Sequence, residues 1–277
     1  LIVMGAVVGV ATTDLFAAAV IPGLLLSGLY IIYTLTRCYL NPELGPPLPM
    51  EEREPLPVVI KELVLGAVPV VVVILATLGV ILAGIATPTD AGAVGAFAVL
   101  ILTLLYRRLS WEKLKKSVYS TLKVSSMILL LVAASNYFGA VFSRLGSATL
   151  IAESLLTLNF PPTVMLLLIL AIIFVLGWPL EWVPIVLIVV PILLPLVQKL
   201  GIDLVWFCML VAVCLQTAWL SPPVALSAYF LRGVVPDWDL KDIYAGMMQF
   251  MVLQIVGMLL VLFFPQLALW LPGVLRE

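Results

Sequence analysis

Apolar runs of about twenty residues recur along this chain, at 15–40, 58–83, 90–106 and 124–143, and a helix of roughly that length crosses the hydrocarbon core of a bilayer. Of the 277 residues, 64% are hydrophobic and 10% charged, and the mean hydropathy is +1.26. A soluble domain runs at roughly 45–50% apolar and about 25% charged, so no water-soluble interior could hide this much apolar surface. The fold class that follows is an all-α polytopic membrane protein. Lys and Arg total 14 against 15 Asp and Glu, which excludes the concentrated basic excess of a nucleic-acid binder. There is no histidine, so histidine catalysis, histidine metal sites and histidine proton relays are all ruled out. With no GxSxG, P-loop or plausibly spaced intramembrane dyad, the chain reads as a non-enzyme. Cys38, Cys208 and Cys214 lack metal-ligand spacing and read as small buried hydrophobes.

The runs also set the organisation. Residues 41–57 carry Pro42, Pro46, Pro47, Pro49, Pro55 and Pro57 with Glu43, Glu51, Glu52 and Glu54, an extended, solvated linker. Residues 107–123 hold Arg107, Arg108, Lys113, Lys115, Lys116 and Lys123 against Glu112 alone. The positive-inside rule places that stretch on the cytoplasmic side as a basic loop. Four units follow: 1–40, the linker 41–57, helices and basic loop over 58–123, and 124–277. After 123 the runs shorten and break, at Gly177-Trp178-Pro179-Leu180-Glu181 and at Ser221-Pro222-Pro223. Half-segments such as 161–176, 182–197 and 204–220 are short for spans and fit re-entrant or broken helices. The last run is 243–271.

Two segments match at an offset of 228: Gly5-Ala6-Val7 over Gly233-Val234-Val235, and Asp14-Leu15-Phe16-Ala17-Ala18 over Asp242-Ile243-Tyr244-Ala245-Gly246. Duplicated halves with paired broken helices are the architecture of secondary transporters. The opening Leu1-Ile2-Val3-Met4 has no basic n-region or cleavage signature and is not a signal peptide. It reads as a start inside a hydrophobic segment. The expectation is a truncated first repeat, with on the order of 150 residues upstream, because each half must supply several spans.

Chemistry concentrates at the breaks. In a helix the N–H of residue i bonds the carbonyl of i−4, and proline has no N–H. Pro222 frees the Ala218 carbonyl, and Pro223 frees that of Trp219. With the Ser221 hydroxyl they form an oxygen cluster suited to a hard monovalent cation. The bland alternative is a kink whose carbonyls neighbouring helices satisfy. At the other break, Pro179 ends a helix, Gly177 permits close backbone approach, and Glu181 is an acid within an apolar stretch. Such an acid marks a functional site unless it reaches an interface. Around Gly84–Gly95, Thr87 or Thr89 caps the next helix, with Pro88 or Asp90 in its first turn. Asn136, beside Ser135, faces either a polar cavity or a neighbouring helix.

At these residues the sequence resembles the large membrane subunit of tripartite ATP-independent periplasmic (TRAP) transporters. The matching stretches are Gly84-Ile85-Ala86-Thr87-Pro88-Thr89-Asp90-Ala91-Gly92-Ala93-Val94-Gly95, Pro191-Ile192-Leu193-Leu194-Pro195 with Leu200-Gly201-Ile202-Asp203, Ser221-Pro222-Pro223-Val224, and Phe264-Pro265 through Trp270-Leu271-Pro272. They run along essentially the whole chain in the family's order. The resemblance implies an inverted-repeat secondary transporter with a re-entrant hairpin and broken helices. It implies a sodium-coupled importer of small organic acids with an elevator-type motion, located in a bacterial or archaeal inner (plasma) membrane. The partners would be a small membrane subunit, a periplasmic substrate-binding protein and a small carboxylate substrate. No cofactor is implied beyond sodium as coupling ion. Carried over by motif, the sodium ligands fall on Gly177, Ala218, Ser221 and Val224. Trp178, Glu181, Asn136 and Pro223 are the candidate substrate-binding residues. Ser221 stands where the family usually has Thr, Ala218 and Ala225 where it has Gly, and Glu181 where it usually has Asp. Two rival readings remain: a transporter of the same fold type that needs no binding protein, and a non-transporting membrane scaffold subunit.

Overall fold

A computed structural model describes residues 1–47, 49, 53–222 and 225–276. Every regular element among them is helical: α1 (Ile2–Val8), α2 (Thr12–Leu40), α3 (Leu56–Leu82), α4 (Pro88–Leu105), α5 (Trp111–Arg144), α6 (Ser147–Leu156), α7 (Pro162–Gly177), α8 (Trp182–Pro184), α9 (Val190–Lys199), α10 (Leu204–Gln216), α11 (Leu226–Val234), α12 (Leu240–Phe263) and α13 (Gln266–Arg276). A backbone in lipid must satisfy its own polar groups, and helices do so within one segment. Six stretches are long and apolar enough to cross a membrane: α2, α3, α4, α5, Trp182–Lys199 and α12. The protein is thus an all-α polytopic membrane protein.

Several starts and stops follow directly from residue type. Thr87 caps α4 by accepting the Asp90 N–H at 3.3 Å, with Pro88 in the first turn, as the sequence suggests. Asp203 caps α10 by accepting the Trp206 N–H at 2.9 Å. Gly201 ends the preceding helix with φ +66°, a left-handed conformation that costs glycine least. The helices that contain the second matched pair, Asp14–Ala18 and Asp242–Gly246, start at Thr12 and Leu240, and 240 − 12 = 228, the offset of the match.

Three features differ from the sequence reading. The basic stretch is mostly not a loop: only 106–110 lie outside helices, and Trp111 already starts the 34-residue α5. Its length, about 51 Å at 1.5 Å per residue, exceeds the ~30 Å core, so one end must leave the hydrocarbon. Residues 182–197 form a longer helical path than expected, Trp182–Lys199. Pro191 does not stop it, because a π-helical turn over Ile185–Val189 lets the Val190 N–H reach back to Ile185. The final run divides, because Pro265 donates no N–H and α12 ends at Phe263.

Residues Leu1–Ile31 and Met127–Glu277 form one compact unit, and Ile32–Ser126 a second. The first is built around α7 and α10. Leu166, Ile169, Leu170 and Ile173 repeat at helical spacing along α7, and Phe207, Leu210 and Val211 along α10, all essentially inaccessible. Leu15, Leu26, Val190 and Leu196 complete the same core. In the second unit α3 and α4 pair. A Cβ on Gly95 would lie 2.7 Å from the Thr77 side chain, so the two helices approach as closely as small residues allow. Only Ile81 and Ala91 are buried in that pair.

Candidate cation and substrate site

Several prolines vacate a helical carbonyl, and Pro69, Pro265 and Pro222 show two outcomes. Pro69 leaves the Leu65 carbonyl, which accepts the Tyr106 hydroxyl at 2.6 Å. Pro265 leaves the Val261 carbonyl, which accepts the Trp206 indole N–H at 2.9 Å. Pro222 leaves the Ala218 carbonyl, and there the Ser221 hydroxyl stands at 3.5 Å. An O–H···O bond spans roughly 2.5–3.0 Å, so among the described residues this carbonyl has only a weak partner. Yet Ala218 and Ser221 are buried, 4% and 0% exposed, where a carbonyl without a strong partner is costly.

The surroundings of this oxygen favour positive charge. The last residue of α7, Gly177, is buried, and a Cβ there would lie 3.3 Å from the Ala218 Cβ. The C-terminal end of α7 thus meets the C-terminal end of α10 and the 3₁₀ turn Thr217–Trp219 that follows it. Each helix C-terminus carries roughly half a negative charge. Gly177, Ala218 and Ser221, singled out by sequence and by resemblance, therefore stand together. Val224 and Pro223 lie outside the described residues. Among the described residues no cluster of three His, Cys, Asp or Glu could hold a metal ion; the oxygens that meet here are the Ala218 carbonyl and the Ser221 hydroxyl.

The break is wider than the proline argument alone requires. Helix α10 ends at Gln216, well before Pro222. The Thr217 N–H is directed to the Cys214 and Leu215 carbonyls, and its hydroxyl to the Cys214 carbonyl at 2.6 Å. Val213 thereby loses its helical donor, and the buried Gln254 of α12 supplies one through Nε2 at 3.0 Å. The same nitrogen donates to Gln216 Oε1 at 2.9 Å, and the Tyr30 hydroxyl donates to Gln254 Oε1. Sequence reasoning missed this group. The available signal was a carboxamide in the middle of the apolar run 243–271, one of three with Gln249 and Gln266, which must find partners in a membrane.

The remaining candidates separate. Trp178 follows Gly177, is 38% exposed and packs edge-on against Phe174 at 5.9 Å. Glu181, half-buried, precedes α8 at its N-cap position and makes no side-chain capping bond. Both sit in the α7–α8 break. Asn136 lies elsewhere: it lines a cavity of about 680 Å³ with the buried Ser135, Ser143, Leu187, Pro191 and Pro195. None of Gly177, Ala218 or Ser221 lines that space. Cys208 and Cys214 are buried, whereas Cys38 is half-exposed.

The geometry of a broken-helix transporter agrees with the relatives of this sequence. The profile of the family described as tripartite ATP-independent periplasmic transporter, DctM component, matches residues 1–267. The chain is 29% identical over 273 residues to the sialic acid TRAP transporter large permease protein SiaM of Vibrio cholerae, covering 98% of this chain and 62% of that one. It is 28% identical over 264 residues to the C4-dicarboxylate TRAP transporter large permease protein DctM of Rhodobacter capsulatus, covering 95% and 58%. It is 26% identical over 239 residues to the 2,3-diketo-L-gulonate TRAP transporter large permease protein YiaN of Escherichia coli, covering 84% and 54%. The chain thus spans less than two thirds of the length of these relatives. With its helical spans and this match along nearly its whole length, the chain belongs to the DctM-component family of TRAP transporters, a family of multi-pass membrane permeases and not of enzymes.

Proposed function

We propose that this chain is part of the large permease of a sodium-coupled, binding-protein-dependent importer of small organic acids in the inner membrane. The observation that carries the reading is the proline-vacated Ala218 carbonyl, set against those of Leu65 and Val261. Leu65 and Val261 are given close side-chain donors, whereas Ala218, buried between two helix C-termini, meets among the described residues only the Ser221 hydroxyl at 3.5 Å. A sodium ion is the ligand that such an oxygen accepts. Its further ligands are Gly177, Ser221 and Val224. Trp178, Glu181, Pro223 and Asn136 serve the substrate. The named relatives carry sialic acid, C4-dicarboxylates and 2,3-diketo-L-gulonate, which share a carboxylate, and this supports an organic acid here. A periplasmic binding protein delivers that acid, a small membrane subunit accompanies the permease, and transport proceeds by an elevator-type motion.

The test is the sodium concentration giving half-maximal uptake in the complete transporter. Ser221→Ala removes the one side-chain oxygen and raises it severalfold. Pro222→Ala raises it further, because residue 222 regains an N–H for the Ala218 carbonyl. If neither substitution moves it, sodium is not bound here and the break is only a kink. Orientation is checked separately. The basic start of α5 lies on the cytoplasmic side, so Ser117→Cys, with the native cysteines replaced, resists a membrane-impermeant thiol reagent in intact cells. Ready labelling from outside reverses the topology.

A further inference from the structure

Helices α10 and α12 are joined by a reciprocal exchange. Trp206 of α10 donates to the Val261 carbonyl of α12, and Gln254 of α12 donates to the Val213 carbonyl of α10. Each bond reaches a carbonyl that has lost its own helical donor. At Val261 the loss is chemical and permanent, because residue 265 is proline. At Val213 it is conformational. Thr217 has an N–H that an uninterrupted α-helix would return to Val213, and here it points to Cys214 and Leu215 instead. The last turn of α10 therefore has two forms open to it, α-helical or 3₁₀. In the 3₁₀ form the Val213 carbonyl is occupied by Gln254.

The carboxamide is well fixed for this task. Gln254 has no exposed surface. Its nitrogen meets two acceptors, the Val213 carbonyl and Gln216 Oε1, and its oxygen meets the Tyr30 hydroxyl of α2. A flipped amide would set oxygen against two oxygens, so only one orientation satisfies all three contacts. Phe250, one turn before Gln254, packs edge-on against the Tyr30 ring at 5.2 Å and steadies the hydroxyl. In the 3₁₀ form the Val213 carbonyl gives up the Thr217 N–H, and the Gln254 N–H supplies the donor that this buried oxygen would otherwise lack. The turn that Gln254 holds is Thr217–Trp219, which carries Ala218 and leads into Ser221.

We propose that Gln254 is a positioning residue for the cation site: by occupying the Val213 carbonyl it holds the Thr217–Trp219 turn in the form that presents the Ala218 oxygen. It touches neither ion nor substrate and acts through the backbone of α10. Tyr30 is its support. The inference rests on the sodium reading above.

The experiment uses the complete transporter in proteoliposomes and reads two constants: half-saturating sodium, and half-saturating substrate at saturating sodium. Gln254→Met keeps length and bulk and removes the donor. It raises half-saturating sodium fivefold or more and leaves the substrate constant within twofold. Tyr30→Phe keeps the ring against Phe250, frees the amide to turn, and gives a smaller shift in the same direction. A purely structural lesion would instead lower the maximal rate or move both constants together, and that outcome overturns the proposal. Sodium-dependent uptake with half-saturating sodium unmoved in Tyr30→Phe and, where it folds, in Gln254→Met also overturns it while leaving the sodium reading intact. Uptake by the unaltered transporter that ignores sodium ends the sodium reading, and this one with it.

Discussion

Helices α3 and α10 are both almost wholly apolar, yet they end up in opposite surroundings. Along the 27 residues of α3 only Ile81 is buried. Along the 13 of α10 burial runs from Val205 through Leu215 with only Trp206 and Ala212 less than buried. In water, apolarity alone would have driven both inside. In a bilayer, lipid tails are as apolar as leucine, so hydrophobicity does not choose between lipid and protein, and packing and polar bonding decide. Length separates the two. Helix α3 is long enough to cross the bilayer by itself and needs few protein partners. Helix α10 is too short, so its ends fall where their polar groups require protein, and both ends find it, at Asp203 and at Gln254.

The contrast is sharpest at aromatic side chains. Phe207 of α10 is 0% exposed and Phe97 of α4, the partner of α3, is 64% exposed. Phe207→Ala leaves a cavity in the buried core, and should cost roughly 3–5 kcal/mol. Phe97→Ala should stay within about 0.5 kcal/mol, as for an uncovered site. Unfolding of the purified transporter in one detergent measures both. An equally large loss at Phe97 would break the comparison, because it would mean that the apolar face of α4 is covered by protein in the assembled state.

This also explains how much could be read from residues alone. The α3 and α4 spans, the Thr87 cap and the breaks at Gly177 and Ser221 follow from local rules: apolar length, side-chain capping, and the missing N–H of proline. The same rules singled out Gly177 at one break and Ala218 and Ser221 at the other; only the resemblance grouped them, and in the structure the two breaks are adjacent. What the residues alone did not yield depends on contacts distant in sequence. The early end of α10 at Gln216 is compensated by Gln254, 38 residues further on, and no local pattern links them. The π-helical turn over Ile185–Val189 was hidden for a similar reason. No local pattern in Ile185–Val189 marks it, and Ile185, Val186 and Val190 are packed into the core. The basic segment 111–123 reads as a loop by charge but has the capacity for helix, and α5 simply extends past the hydrocarbon.

The smallest effect expected lies at the two helix starts. Asp203 accepts the Trp206 N–H at 2.9 Å and leads the buried α10, whereas Thr87 accepts the Asp90 N–H at 3.3 Å and leads the exposed α4. An ionised acceptor makes a shorter and stronger bond than a hydroxyl, and its charge also opposes the positive end of the helix dipole. Asp203→Ala should therefore cost about 1–2 kcal/mol, at the upper end for a lost cap, and Thr87→Ala about 0.5–1 kcal/mol. Asp203→Asn, which keeps the acceptor and removes the charge, divides the two contributions. If it matches the unaltered protein, the bond alone matters. If it matches Asp203→Ala, the dipole carries the effect. Thr87→Ala has a second consequence, because the Thr87 hydroxyl also donates to Asp90 Oδ2 at 2.6 Å. Both groups are exposed, so water replaces that bond and keeps the loss small. A cost at Thr87 equal to that at Asp203 would show that the start of α4 is as tightly held as the start of α10, and that exposure in α3 and α4 does not mark a looser part of the molecule.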